Sequence, residues 1–283
     1  MKRAVFSAMG TSIDVRAATD GGIDSTRRIF ETVEEACSRF RPESELSRTN
    51  DDADRIVTVS PLMACALRAA EHARTITGGL VDAGLGGAVR AWGYDRSFES
   101  LEDGLGCETS DQTAAPEWSI DGTTLVRSPG VNIDLGGVAK GWTCDLAVER
   151  GHATIVSAGG DVRSASNDAR VEIVDPWGDV AALIRLGVGA LATSSIARRR
   201  WRYGSGEANH LIDPRTMRPS DGPVLQATAI TATAVEAEAA AKAIVLLGVG
   251  GLAWADRQPW IRAALAVWRS GCVYGTTGLE MAA

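Results

Sequence analysis

Five short segments of this chain combine residue types that could do chemistry. The first is Asn132-Ile133-Asp134-Leu135-Gly136-Gly137-Val138-Ala139-Lys140-Gly141. It reads as a strand ending at Asp134, a glycine turn, and a helix carrying Lys140 in its first turn. Glycines let backbone approach a ligand closely, and the free N–H groups of a new helix can face an anion. A cation there opposes the helix dipole, which is natural if the amine reaches a phosphate. The alternative is a tight turn with a solvated lysine. The second segment, Val156-Ser157-Ala158-Gly159-Gly160-Asp161-Val162, joins two strands at Gly159-Gly160 and reads equally as a ligand loop or a hairpin. The third, Ala192-Thr193-Ser194-Ser195, ends an apolar strand in hydroxyls, which can serve a ligand or only the backbone. In the fourth, His210-Leu211-Ile212-Asp213-Pro214, a carboxylate on the same side of an extended segment could orient an imidazole for proton transfer. A purely structural histidine fits the same pattern. The fifth, Glu236 to Lys242, sets Glu238 and Lys242 at i, i+4. On a surface that pair is worth about 0.3–0.5 kcal/mol. Its neighbours are apolar on most sides, so the helix is predicted to be buried, and a buried ion pair needs a reason.

Other chemistries are disfavoured. Gly84-Leu85-Gly86-Gly87 lacks the spacing of a dinucleotide-binding turn, and Lys140-Gly141 reverses the order of a P-loop. No GxSxG hydrolase elbow occurs. Three histidines, His72, His152 and His210, do not suggest a multi-histidine metal site. With 36 acidic and 29 basic residues the net charge is −7, against a general nucleic-acid binder. The basic run Arg198, Arg199, Arg200, Arg202 reads as a charged strand edge. Five scattered cysteines form no CxxC pair, so thiols in the cytoplasm are expected. The first residues lack a signal-peptide core. The most apolar run, Ala239 to Leu252, is read as too short for a membrane span and carries Lys242.

The elements that must position these groups follow from periodicity and punctuation. Two strands are predicted within 2–17 and an amphipathic helix over 24–38, with Ile29, Val33 and Cys37 four apart. Arg41–Asn50 reads as a loop, Ile56–Val59 as a strand, and 61–77 as a helix with Ser60-Pro61 at its start. Residues 95–115 read as a flexible loop. Strands follow within 117–134, separated by Asp121-Gly122 and Pro129-Gly130, then a helix over 136–150. Strands are predicted at 153–157, 171–175, 180–186, 190–204 and 224–233. A helix over 234–247 and strands near 263–268 and 271–275 complete the chain. Without a regular strand–helix rhythm the fold class is α+β, with antiparallel sheets and packed helices in one domain over 1–283.

Taken in order, these segments resemble the ApbE-like FAD:protein FMN transferases. The resemblance begins at Met9-Gly10-Thr11 and passes through Ser38-Arg39-Phe40-Arg41-Pro42 and Ser44-Glu45-Leu46-Ser47-Arg48-Thr49-Asn50. Thr77-Gly78-Gly79-Leu80-Val81-Asp82 and Trp92-Gly93-Tyr94 follow. Asp134 to Gly141 is similar to the family's DLGGxAKG motif. Gly159-Gly160-Asp161, Thr193-Ser194 and His210-Leu211-Ile212-Asp213-Pro214 complete the order. The resemblance implies a T-fold-like core. It implies FAD contacts from Met9, Leu80, Val81, Asp82, Asp134, Lys140, Gly159, Gly160 and Ile212, and a catalytic role for His210. It implies transfer of FMN from FAD to a Ser or Thr hydroxyl of an acceptor protein, with AMP leaving; from the charge balance and the lack of a spanning run, no nucleic-acid or membrane partner is expected. Alternatives are a non-catalytic FAD-binding or flavin-delivery protein, an FAD pyrophosphate hydrolase, and an oxidoreductase that keeps FAD.

The resemblance also implies Mg²⁺, with Gly137 and Glu238 as the matching ligands. Here the chain departs from the family's pattern. Glu238 stands where the family has Asp, Ala241 where an Asp is common, and Lys242 where it has Thr. Mg²⁺ demands near-octahedral oxygen coordination and tolerates that exchange poorly. Lys242 is expected to take the metal's position as part of the catalytic set, held by Glu238.

Overall fold

The computed structural model describes residues 1–101 and 117–279. Strands β1 (Lys2–Ala8) and β2 (Thr11–Ala17) pair across a two-residue turn, Met9-Gly10. Both turn residues have positive φ, 52° and 64°, matching the twist of a tight hairpin. Helix α1 (Asp20–Cys37) buries Ile23, Thr26, Phe30, Val33 and Cys37, the three- and four-residue steps of one helical face. Helix α2 (Glu45–Asp51) corrects the loop expected over Arg41–Asn50. Ser44 caps it, its hydroxyl accepting the Ser47 N–H at 3.0 Å. So short a helix has too few turns to show apolar periodicity, and the cap was its sequence signal.

The chain continues with β3 (Ile56–Thr58), α3 (Pro61–Ile76), α4 (Gly86–Ala91), β4 (Trp118–Asp121) and β5 (Thr124–Arg127). Helix α4 is an addition to the predicted elements. Of the loop expected over 95–115, residues 102–115 lie outside the described residues, and Phe98–Ser100 forms a 3₁₀ turn. The strand expected to end at Asp134 is reduced to one parallel bridge between Leu85 and Asn132.

Helix α5 (Ala139–Glu149) leads into β6 (Ile155–Ala158), β7 (Asp161–Ser164), β8 (Arg170–Val174), β9 (Val180–Arg185) and β10 (Gly189–Ser195). The strand with turns expected over 190–204 takes the form of β10, a turn over 196–199, and β11 (Arg200–Tyr203). Strand β11 pairs with β12 (Gly206–Asn209), and it buries Trp201 and Tyr203 while exposing Arg200 and Arg202. This is the charged strand read from the arginine run. Then come β13 (Ile212–Asp213), β14 (Arg218–Pro219), β15 (Val224–Thr231), α6 (Ala234–Leu247), α7 (Gly251–Ala255), β16 (Ala263–Trp268) and β17 (Val273–Gly275).

The chain forms two compact units. The first comprises Met1–Glu31, Lys140–Arg198 and Asp221–Ala283, and the second Thr32–Ala139 and Arg199–Ser220. In the first unit, eight antiparallel strands run in the order β1-β2-β6-β7-β10-β15-β16-β17. Helix α6 packs on β10 and β15. A core of Phe6, Ile13, Phe30, Cys144, Val156 and Ala237 joins that sheet to its helices. The second unit holds the sheet β3-β5-β4 and a core that includes Leu85, Tyr94, Trp201 and Ile212. The architecture is α+β with antiparallel sheets.

Residues Ala234–Ala255, spanning α6 and α7, are long and apolar enough by composition to cross a membrane, with mean hydropathy 1.4 over a window. That corrects the expectation that no run reaches such a length. The cause lies in burial instead: only Glu236 and Leu247 of α6 escape the buried set, because the helix is the spine of the first unit's core.

Candidate functional site

Lys140 lies in the first turn of α5, with its ammonium 3.3 Å from Glu238 Oε1 and 3.4 Å from Asp161 Oδ2. Lys242 is one turn along α6 from Glu238 and donates to the same Oε1 at 2.8 Å. Glu238 is 3 % exposed, Asp161 2 % and Lys242 7 %. The pair on α6 is therefore buried, as the apolar helix predicted. It belongs to a cluster of two carboxylates and two ammoniums. Burial opposes ionisation of Glu238, but Lys140 and Lys242 outweigh it and pull the carboxyl down to about 2. Asp161 goes the other way. Burial, reinforced by the Glu238 charge, pushes it up to about 7 against the pull of Lys140 and Lys242.

The cluster is held by a second set of charges. Asp145 on α5 accepts the backbone N–H groups of Ala234 at 2.8 Å and Val235 at 3.1 Å, at the start of α6. Arg163 on β7 reaches Asp145 at 3.0 Å. Thr233 and Glu236 form a reciprocal capping box at the same helix end. Close packing completes the joint. A methyl group at Gly141 would come 2.9 Å from the Ala234 carbonyl oxygen and 3.1 Å from Glu238 Oε2. Sequence reasoning passed over Asp145 and Arg163, and it gave Asp161 no role. A charged residue inside the apolar α5 was the available signal for Asp145.

The glycine and hydroxyl motifs gather at one end of the eight-stranded sheet. Gly159 and Gly160, at φ 60° and 106°, turn β6 into β7. A side chain at Gly159 would strike Thr11 Oγ1 at 2.7 Å, beside the Met9-Gly10 turn. Thr193 donates its N–H to the Gly160 carbonyl at 3.1 Å, and its hydroxyl lies 2.8 Å from that of Thr228. Met9, Gly159, Gly160 and Thr193 thus share one sheet end, with Asp161 of the charge cluster next in sequence. Ser195 serves only the backbone, donating to the Leu225 carbonyl at 3.0 Å.

The second unit carries its own predicted residues. Asp134 is gripped by Arg39 at 2.9 Å and accepts the Gly136 N–H at 2.7 Å, which shapes the turn leading to Gly137. The Arg39 guanidinium stacks on Phe40 at 4.1 Å and Tyr94 at 4.6 Å. Asn50 clamps Ile133 by two amide hydrogen bonds of 2.8 Å. Asp82 accepts from Trp118 Nε1 at 2.7 Å and the Gly84 N–H at 2.8 Å, fixing the segment that holds Leu80 and Val81. Ile212 is buried at the start of β13, and His210 just before it is half-buried. Asp213, two strand positions from Leu211 and three from His210, has a charged partner of its own. The Asp213 carboxylate takes the guanidinium of Arg215 at 2.6 and 2.9 Å, because an arginine two residues away offers a bidentate partner.

A divalent metal does not fit the charge cluster. Among the described residues no group of three His, Cys, Asp or Glu side chains could hold one. Glu238 Oε1 is already shared by two ammoniums and Asp161 is held by Lys140. A dication about 4 Å from an ammonium is repelled by about 8 kcal/mol at an effective dielectric of ~20. Gly137 offers a backbone carbonyl at most, so the two ligands matched by resemblance do not make a Mg²⁺ site by themselves.

An antiparallel sheet with glycine turns at one end and two lysines, one buried and one half-buried, beside them defines an α+β protein suited to an anionic, phosphate-bearing ligand. A match to the ApbE family spans residues 9–265, and the chain belongs to that family. It is 33% identical over 215 residues to an FAD:protein FMN transferase of Rhodobacter capsulatus, a match covering 70% of this chain and 41% of that protein. It thus spans about two fifths of that relative's length. It is 26% identical over 266 residues to an FAD:protein FMN transferase of Vibrio cholerae, covering 85% of this chain and 79% of the relative. Its fold matches the crystal structure of the ApbE protein from Thermotoga maritima with TM-score 0.83 and 23% identity, over 98% of this chain and 97% of that one. The flavin transferase ApbE from Vibrio cholerae matches with TM-score 0.80 and 24% identity, over the same shares of the two chains.

Proposed function

We propose that this chain is a flavin transferase that binds FAD and moves FMN to a Ser or Thr hydroxyl of an acceptor protein. The observation that carries the reading is the lysine pair on Glu238, half-buried Lys140 and buried Lys242, next to the glycine turns of a chain that matches the ApbE family over residues 9–265. The acceptor oxygen attacks the phosphorus of the FMN half and loses its proton. The pyrophosphate P–O bond breaks, and AMP leaves with the bridging oxygen. Negative charge builds on the phosphate oxygens, so fixed cations and backbone N–H groups supply most of the help such a reaction needs. Lys140 and Lys242 are the cations, and His210 takes the acceptor's proton. The family resemblance assigns contacts with the flavin nucleotide to Met9, Gly159, Gly160, Leu80, Val81, Asp82, Asp134 and Ile212. The thiols Cys37, Cys65, Cys144 and Cys272 are free, and we place the reaction in the cytoplasm, away from nucleic acid and membrane.

The test is incubation of the purified chain with FAD and a candidate acceptor, following AMP and FMN by chromatography and the acceptor by mass spectrometry. AMP release matched by FMN-modified acceptor is expected. His210→Ala should slow turnover while FAD affinity stays within about threefold, since a proton acceptor acts in the transition state. Tight FAD binding with no AMP in the presence of several acceptors would instead identify a flavin-delivery protein.

A further inference from the structure

We propose that this site carries its cation in the chain: Lys242, fixed by Glu238, fills the place of a divalent metal, so that the protein holds its phosphate ligand metal-free. The ligand in this inference rests on the flavin reading; the statement about metal does not.

Three observations support it. First, Lys242 and Glu238 are charges buried in a helix whose other inward positions are alanine, valine, isoleucine and leucine. A buried pair is weak as a source of stability, because desolvation offsets its attraction. Its presence inside the core calls for another use. Second, Glu238 Oε1 accepts from Lys242 at 2.8 Å and lies 3.3 Å from Lys140, so the carboxylate that would ligate a metal already holds two ammoniums. Third, the other oxygen, Glu238 Oε2, is buried with no hydrogen-bond partner among the described residues. It faces α5, where even a methyl group at Gly141 would lie 3.1 Å away, and the cluster's other such oxygen, Asp161 Oδ2, has the Lys140 ammonium at 3.4 Å. A cation with its own water shell has no room there, whereas an ammonium on a flexible stem needs none. Charge count agrees. Two ammoniums against Glu238 and Asp161 leave the cluster neutral, with no net negative charge to draw a divalent cation.

The experiment uses the full chain, stripped of metal. Mn²⁺ titration followed by electron paramagnetic resonance reads metal binding without any flavin. FAD affinity is measured by flavin fluorescence in EDTA and in excess MgCl₂. No stoichiometric Mn²⁺ site is expected in the wild type, with FAD affinity equal within about twofold in the two buffers. Lys242→Met should lower FAD affinity by about tenfold or more, the worth of a charged hydrogen bond, while Lys242→Arg keeps most of it. A purely structural ion pair would lower the melting temperature of Lys242→Met and leave FAD affinity intact, which overturns the proposal. So does a wild-type Mn²⁺ site that Mg²⁺ displaces, or FAD binding lost in EDTA and restored by Mg²⁺. If FAD binds in neither buffer the flavin reading fails, and the Mn²⁺ titration still decides whether the site takes metal. That titration needs no variant, so a misfolded Lys242→Met does not remove the test.

Discussion

Asp161 holds its proton to about pH 7, while an unfolded aspartate releases it near ~3.9. Between those values the folded protein binds more protons than the unfolded chain, so stability falls as pH rises through the window. Asp145, pushed up to about 6 chiefly by burial, adds the same sign at lower pH. Above about pH 6.5 the remaining slope belongs mainly to Asp161. Urea midpoints of the wild type should therefore decline from about pH 6.5 to about pH 8, and Asp161→Asn should flatten that decline. Parallel profiles for the two proteins would show that Asp161 ionises normally. The lysines and Glu238 were readable from sequence because their signals are local, a charge at a helix start and an i, i+4 pair. Their union was not. Lys140 meets Glu238 across 98 residues and Asp145 meets Ala234 across 89, and no short-range rule reaches that far.

Between elements, the joint of α5 with the start of α6 carries the site. Alanine normally favours a helix interior over glycine by about 1 kcal/mol. At Gly141 the order should reverse, since a methyl group would press on the Ala234 carbonyl and Glu238 Oε2. Gly141→Ala is expected to lower stability by about 1–3 kcal/mol, the usual cost of overpacking, and to weaken FAD binding by parting Lys140 from Glu238. A stabilised Gly141→Ala in thermal denaturation would mean that the two helices can separate freely. Asp145→Ala should cost more, about 3–5 kcal/mol, because it leaves Arg163 without its buried partner and uncaps α6. A loss in urea denaturation under about 1 kcal/mol would make Asp145 a bystander. Elements with a strong local signal agree with their sequence reading, α3 through its Ser60-Pro61 start and α6 through its apolar, helix-forming composition. Helix α2, six polar residues and Leu46 held by the Ser44 cap, does not, because its order comes from hydrogen bonds and from Leu46 and Thr49 packing inward.

For the molecule as a whole, composition set the class and chain tracing set the rest. An apolar fraction of 45% supports a packed core, but nothing in the sequence tells that residues 199–220 return to the unit begun at Thr32. Of the four peptide links between the units, two fall at helices: α1 runs unbroken from Asp20 through the boundary at Glu31 to Cys37, and α5 begins at the boundary beside Lys140. A continuous helix transmits unfolding from one end to the other, because its hydrogen-bond ladder propagates cooperatively. The two units are therefore expected to unfold as one domain. The protein supplies its own reporters. Cys37 belongs to one unit and Cys144 to the other, and both are buried, whereas Cys65 and Cys272 are exposed. Burial pushes the Cys37 thiol up to about 12 and raises Cys144 well above an ordinary thiol, so neither reacts while folded. Pulsed thiol labelling along a urea series, read by peptide mass spectrometry, should show Cys37 and Cys144 opening at one shared midpoint. Cys65 and Cys272 should label throughout. Separate midpoints for the two buried thiols would establish two independently unfolding units and would break the single domain into two.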